Sequence, residues 1–456
     1  MTTTTIKLPT QRELLQEKYV APEEARLLND HGHYLAATGK TAASVVAFRR
    51  AAAIAPEHPM LLASLGAVLF DAGLFLEAEG HLRKSVGIEP MYSPAHGNLA
   101  SVLGAQGRYE EAKVEFRTAL KIEPDFTDAR WNFSMCLLDS GEWTSEAWSY
   151  YEARKERGGK RLYPQLPYPE WRGEDLNGKT LYVQGEQGIG DRTLFSRYLH
   201  WVKTEFPDAR ILFMHNAEDL ANISNFMWGY RDIVEFVPNG VPWPEDVDYG
   251  IYLMSLPGMH GTTPSNVYDD PGLLLKNAER HKNSVALPVT DDRMMKVGIC
   301  WSGNPKMKRN AERSIPLELM LSLAELPDVV LFGLQIGTHD IERVGADQLV
   351  CDLTPDISPL GFTGTAAVMQ NLDLVITCCT ANAHVAGALG VPCWTLLCKN
   401  PYWLWLRDTS RSVWYENTVL FRQQSMNDWS PVIAEVRSEL ARCAAEHAAC
   451  RRQKVA

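Results

Sequence analysis

Two hydrophobic rhythms divide this chain. Over its first third, Gly39, Gly73, Gly107 and Gly141 recur every 34 residues, and so do Pro56, Pro90 and Pro124. The segments AAAIAP, SVGIEP and ALKIEP each close on an apolar residue, a variable one and proline. Leu65, Leu99 and Phe133 share one register, and Ala78 and Ala112 another. Glycine ends a helix and permits a tight turn; proline stops the helix before it. The pattern therefore predicts about four helix pairs between Glu23 and Arg154. From Thr180 the rhythm changes to short apolar runs separated by helical stretches. LYVQ, ARILFM, IVEFV and YGIYLM, then VGIC, VVLFGLQ, DLVIT and CWTLL, read as buried strands. Strands alternating with helices predict a doubly wound α/β fold in two halves. The expected organisation is a tail over 1–22, repeats over 23–154 and a Pro/Gly-rich linker over 155–179. A first half over 180–285 and a second over 286–456 follow. The segment 277–292 is expected to bridge the halves, and a helix from Pro431 to about Cys450 to close the chain.

A 34-residue period with glycine at the inner turn and proline at the boundary resembles the tetratricopeptide (TPR) repeat. That resemblance implies a curved α-solenoid whose concave groove takes a polypeptide. Repeats that only dimerise the protein or brace its second domain are the other reading, and an oligomer is compatible with either.

Composition narrows the classes. With 45% hydrophobic and 22% charged residues the chain is of ordinary globular type, and a net charge of −11 speaks against a general nucleic-acid binder. Nine cysteines without a C-x-x-C pair suggest free thiols in a reducing compartment, with no zinc framework. No apolar leader opens MTTTTIKLPT and no run reaches membrane-spanning length, so a cytoplasmic protein is expected.

Three stretches carry candidate chemistry. Gly185-Glu186-Gln187-Gly188-Ile189-Gly190-Asp191 leaves a strand and opens a helix, where open α/β sheets bind ligands. It is not G-x-G-x-x-G, which argues against a nicotinamide cofactor. Asp191 can be the helix cap or a general base facing a cleft; both readings stand. Trp301 to Glu318 is a loop with Lys306, Lys308, Arg309 and Arg313 against Glu312, suited to an anion such as a diphosphate. In ITCCTANAHVAGALGVPCW, Thr380 is expected to cap a helix rich in small residues. The free N–H groups of its first turn suit a phosphate. Thr380 and His384 are four apart and share one face of it. All three stretches follow strands, which places them at one cleft. Asp246-Val247-Asp248 reads as a solvated approach to a strand, and no metal-ligand cluster is apparent. Trp403, Trp405 and Trp414 are either core or a cover for a base or sugar.

The order of these parts resembles bacterial TPR-linked glycosyltransferases: repeats, GEQGIGD, VGICWSGNP…RSIPLE, then NLDLVITCCTANAHVAGALGVPCWTLL. These are similar to the heptosyltransferase family and, more distantly, to the O-GlcNAc transferase family. The resemblance implies a GT-B fold without catalytic metal or bound cofactor, and a nucleotide-sugar held by the second half. It assigns the base to Asp191, and the acceptor-side loop to Gly185, Glu186, Gln187, Gly188 and Gly190. Donor contacts fall to Lys306, Arg309, Arg313, Gln335, Thr380, Asn382 and His384. A protein acceptor on Ser or Thr is implied, flagellin among the candidates. A glycan or lipid-linked acceptor, and a non-enzymatic scaffold or chaperone, are the alternatives. Relatives carry aspartate where this chain has Cys379.

Overall fold

The computed structural model describes residues 18–157, 160–186, 188–215, 226–269, 271–288, 291, 293–307, 309–336, 345–346 and 348–455. The chain divides into two compact bodies. The first ends at Leu162; the second runs from Tyr163 and also includes Trp143–Ser145.

The first body is a run of antiparallel helices: α1 (Glu23–Ala37), α2 (Thr41–Ile54), α3 (Pro59–Asp71), α4 (Phe75–Ile88), α5 (Ser93–Ala105), α6 (Tyr109–Ile122), α7 (Thr127–Asp139) and α8 (Ser145–Tyr151). The 34-residue glycines occupy equivalent turns, with φ of 77°, 75°, 79° and 81° at Gly39, Gly73, Gly107 and Gly141. Only glycine holds this left-handed conformation without a Cβ penalty. Ala78, Ala112, Leu65, Leu99 and Phe133 are all buried, and Phe133 stacks on Phe116 at 5.3 Å. Charges repeat as well. Arg49 pairs with Glu77 at 2.6 Å, Arg83 with Glu111 at 3.4 Å and Arg117 with Glu146 at 3.3 Å, a ladder joining successive even-numbered helices.

One repeated pair is inverted. Glu79 accepts two hydrogen bonds from Arg108 Nη1 at 2.8 Å, whereas 34 residues on Lys113 pairs with Glu142. A slip by one repeat would set Glu79 against Glu142 and Arg108 against Lys113, so the inversion opposes that register. A short hairpin, β1 (Glu156–Arg157) and β2 (Lys160–Arg161), follows α8.

The second body holds two parallel sheets. The first has the order β5-β4-β3-β6, from β3 (Thr180–Gln184), β4 (Arg210–His215), β5 (Glu235–Pro238) and β6 (Tyr249–Tyr252). Helices α9 (Ile189–Phe195) and α10 (Arg197–Glu205) cross from β3 to β4. The second sheet contains β7 (Met295–Cys300), β8 (Val329–Gly333), β9 (Val350–Asp352), β10 (Leu374–Cys378), β11 (Cys393–Leu397) and β12 (Thr418–Arg422). Its order is β12-β11-β10-β7-β8-β9. That is the order of a dinucleotide-binding α/β sheet, with its switch point between β7 and β10. The first sheet switches between β3 and β6. Buried Val, Ile and Leu fill β7, β8, β10 and β11, as strands covered on both faces require.

The sequence pattern underpredicts the strands. β9 is three residues long, and β12 lies inside the aromatic segment that gave no strand signal. The expected linker belongs partly to the second body: the buried Trp171 bonds through its backbone N–H to the Gly250 carbonyl and through its indole to the Glu174 carbonyl. Helix α11 (Leu273–His281), expected at the end of the first half and the start of the bridging segment, packs both on the short helix Trp228–Asp232 of the first half and on α12 (Phe362–Met369) beside the second sheet. The closing helix α13, which follows the helix at Ala381–Ala388 described below, spans Ser430–Val455 and covers the second sheet through Val432, Ile433, Val436 and Leu440.

Candidate functional site

The loops after β3, β7 and β10 meet. Gly190, in the first turn of α9, faces the start of the helix Ala381–Ala388. A Cβ there would lie 3.0 Å from His384 Cδ2 and 3.2 Å from Ala381 Cα. Glycine is therefore what lets the two helix starts approach. Arg313 brings in the third loop, donating from Nη1 to the Cys379 carbonyl at 3.0 Å and from Nε to Asn310 Oδ1 at 3.2 Å. Gly303 makes room for that guanidinium: a Cβ would sit 2.3 Å from Arg313 Nη2.

Asp191 is the third residue of α9, whose N-cap is Gly188, so it is not itself the cap. Its carboxylate reaches back to the backbone N–H groups of Gly188 and of Asp191 itself, as an acidic N3 residue does in a capping box. Burial is the main influence on its acidity. Together with the nearby Glu186 carboxylate, it outweighs those hydrogen bonds and Arg192, pushing the carboxyl up to about 6. Glu186 is buried and accepts the Met254 backbone N–H at 2.9 Å, which ties the β3 loop to the end of β6. Gly185 lies against the Met214 carbonyl, 2.5 Å from where a Cβ would be. Gln187 and Lys308 lie outside the described residues.

The donor-side residues separate into groups. Thr380 is the N-cap by position, yet its hydroxyl makes no capping bond; it lies 3.2 Å from Thr377 Oγ1 and 3.9 Å from Cys300 Sγ. This corrects the expectation of a side-chain cap: the hydroxyl is engaged at the strand end. His384 is buried and stacks on Trp405 at 5.2 Å, with Tyr415 Oη 3.4 Å from its Nδ1. Burial, and then the charge of Arg197, hold its imidazole down to about 3, so it is neutral at physiological pH. Asn382 Nδ2 donates to the Leu334 carbonyl at 3.4 Å. Gln335 is buried and accepts the Ser302 backbone N–H at 3.0 Å, bracing the β7 loop from within. Arg309 is drawn off to Glu312 at 2.7 Å and the Asn400 carbonyl at 2.7 Å. Lys306 is exposed on a turn whose backbone N–H bonds to Asn304 Oδ1 at 2.9 Å. Of the basic candidates, Arg313 is the one seen to reach the β10 loop among the described contacts, through the Cys379 carbonyl. Asp248 accepts the Thr180 N–H at 2.9 Å and pairs with Lys179 at 2.9 Å, stapling β6 to β3.

Several residues here escaped sequence reasoning. Arg197 is buried and donates to the carbonyls of Leu194, Tyr268 and Trp414, while its guanidinium lies 5.0 Å from the Tyr415 ring centroid. The Trp405 indole N–H lies 3.0 Å from Cys379 Sγ, directly before the helix start. Leu406 follows with φ of 49°, a strained value for a branched side chain. Arg422, at the end of β12, fastens this turn by donating to the carbonyls of Trp405, Leu406 and Thr409. Burial lowers its guanidinium to about 10. The sequence signal for Arg197 was a basic residue on the apolar face of a helix; Arg422 left none. Trp403, Trp405 and Trp414 are all buried, and Trp405 touches the candidate donor residue His384 directly.

Comparison with known proteins recognises the repeats. Tetratricopeptide-repeat families match residues 29–93 and 93–126. This part of the chain is a TPR solenoid. The chain is 25% identical over 329 residues to Protein FlbA of Caulobacter vibrioides, covering 65% of this chain and 52% of that protein. It thus spans about half the length of the curated relative it matches. Among solved structures it is similar to the first TPR domain of human RPAP3, at 20% identity over 30% of this chain and 100% of that one, with a TM-score of 0.25. It is also similar to the Sgt2 TPR domain of Aspergillus fumigatus, at 17% identity over 32% of this chain and 90% of that one, with a TM-score of 0.25. No helix of the described residues is long and apolar enough to cross a membrane.

Proposed function

We propose that the chain is a glycosyltransferase of GT-B type that moves a sugar from a nucleotide-sugar to a hydroxyl of a protein recruited by the repeats. The observation that carries this reading is the meeting of two switch points. A buried carboxyl with raised proton affinity, Asp191, stands on one sheet. Facing it is the helix start at Thr380 with Arg313 on the Cys379 carbonyl. In the proposed reaction Asp191 accepts the proton of the acceptor hydroxyl. The oxygen bonds to the anomeric carbon, and the carbon–oxygen bond to phosphate breaks with its electron pair leaving on the nucleotide. The helix start and Arg313 stabilise that growing charge. A proton affinity near 6 keeps most of Asp191 ionised at pH 7 while leaving it a useful base. His384, neutral and stacked on Trp405, supplies shape and a wall, with no charge of its own.

The test is titration calorimetry of the full chain with UDP, GDP, CMP and dTDP, followed by mass spectrometry of an acceptor protein incubated with the matching sugar donors. One nucleotide is expected to bind, with affinity reduced in Arg313→Ala, and the acceptor to gain sugar mass. Absence of nucleotide binding across the panel overturns the reading. It would then favour a second one, a protein-interaction scaffold, which the TPR match supports.

A further inference from the structure

The second body carries a cavity of about 340 Å³ lined by His200, His260, Asn266, Tyr268, Asp269 and their apolar neighbours. We propose that it is a saccharide pocket, seating one neutral sugar ring, separate from the switch-point site. This does not rest on the transferase reading; it is argued from the donors and acceptors that the cavity presents.

A chain of hydrogen bonds runs beneath the cavity. The Tyr268 backbone N–H donates to the Tyr198 phenol oxygen. That oxygen lies 2.7 Å from Thr262 Oγ1, which lies 2.9 Å from His260 Nδ1. Tyr198 and Thr262 are fully buried. Run in one sense, each hydroxyl donates to the next group and the chain ends on His260 Nδ1 as an acceptor. A neutral imidazole then carries its proton on Nε2. Burial favours the neutral ring, lowering its proton affinity. His200 Nδ1 lies 2.8 Å from Tyr268 Oη, which fixes that phenol, and the His260 and Tyr268 rings stand 5.8 Å apart in an edge arrangement.

With the hydrogen-bond chain run in that sense, the cavity lining offers the His260 imidazole N–H as a donor, a carboxylate acceptor in the exposed Asp269, an aromatic ring, and apolar surface from Val267 and Pro271. These choose among ligands. A phosphate would satisfy the imidazole but meet the Asp269 charge, and the described lining residues include no lysine or arginine. An ammonium would satisfy Asp269 but leave the imidazole donor without an acceptor. A hydroxyl both donates and accepts, so a polyol satisfies both groups. The C–H face of a pyranose suits the Tyr268 ring and the Val267–Pro271 side. The volume is at the low end of ligand pockets, roughly 300–1,000 Å³, which fits a single ring.

The test is saturation-transfer NMR on the full chain with the methyl glycosides of glucose, galactose, mannose and N-acetylglucosamine. At least one is expected to bind, with affinity lowered about tenfold in Asp269→Ala and in His260→Phe, and with no displacement by inorganic pyrophosphate. Asp269 is exposed, so its variant decides the matter if His260→Phe fails to fold. The proposal is overturned if no glycoside binds, if binding survives Asp269→Ala, if pyrophosphate displaces the sugar, or if methylammonium binds where the glycosides do not. Loss of nucleotide binding at Arg313, tested above, leaves this result untouched.

Discussion

In the repeat body, a surface charge finds its partner 28 or 29 residues along the chain, in whichever unit it sits: Arg49 with Glu77, Arg83 with Glu111, Arg117 with Glu146. In the sheet body, Gly190 packs on His384, and Arg197 donates to the carbonyl of Trp414, 217 residues away. The first body repeats one local solution. The second uses each contact once, at the place where two sheets reverse their strand order. A substitution in the repeats should therefore have a counterpart with the same effect one period away, whereas one at the switch points should have none.

The largest effect is expected at Asp191. Under the transferase reading, Asp191→Asn slows transfer by about 10²–10⁴-fold, the usual contribution of a general base. The wild-type rate should fall as pH drops through about 6. Stability should move the opposite way. The folded-state affinity for a proton is raised above the ordinary aspartate value, so Asp191 favours the fold most at low pH. That contribution is lost as pH rises from about 4 through about 6. At pH 7 the Asn variant should equal or exceed wild type in stability, by on the order of 1–3 kcal/mol in denaturant titration. A variant that is both less stable and fully active would return Asp191 to a simple helix-capping role.

The next effect is at Gly190, whose missing Cβ lets the two helix starts touch. Gly190→Val should destabilise by about 1–3 kcal/mol through overpacking, and weaken nucleotide binding more than a surface change of equal stability effect. Urea unfolding and calorimetry on the one variant separate the two readouts. Unchanged binding in a destabilised variant would mean that the contact serves packing alone.

This contrast also sets what the sequence could show. The TPR body was legible because a period multiplies its own signal: four glycines and three prolines in register leave little else to fit them. The strands β3, β4, β7, β10 and β11 were legible because burial on both faces makes them continuous apolar runs. β12 was not, since its five residues lie within an aromatic segment with no turn signal of their own. Within the site, Asp191, Thr380 and His384 were readable from their place after strands. The basic loop was read as one cluster, yet Arg309 is pulled to Glu312 while Arg313 reaches the Cys379 carbonyl. Arg197 and Arg422 act through backbone carbonyls, and carbonyls carry no residue-type signal.

Glu79 tests the inverted pair that separates one repeat junction from the next. Burial alone would raise its proton affinity; the bonds from Gln106, Arg83 and Arg108 overcome that and hold it down to about 2. The stabilisation is fully present above the ordinary glutamate value and is lost as pH falls from about 4.5 to about 2. Glu79→Gln should cost about 1–3 kcal/mol at pH 7 and much less at pH 2, where about half of the wild-type carboxyl is itself protonated. The double swap Glu79→Lys with Arg108→Glu, which copies the pair at Lys113 and Glu142, should restore much of the loss. Failure of that rescue would show that the surroundings, with Gln106 and Arg83, are built for one polarity.

The smallest effect tests the equivalence of the repeats. Gly73 and Gly107 have φ of 75° and 79°, and a Cβ at either would meet nothing within 4 Å. With no contact made or lost, Gly→Ala at these turns reports only the strain of a left-handed residue, about 1–2 kcal/mol. The two variants should agree within about 0.5 kcal/mol, and the double variant should give their sum to the same tolerance, as independent sites do. Chemical unfolding of the full chain, followed at the transition of the first body, measures all three. Unequal values, or a sum that fails, would mean that one turn is held by interactions beyond its own backbone. The 34-residue period would then describe the sequence better than it describes the energetics.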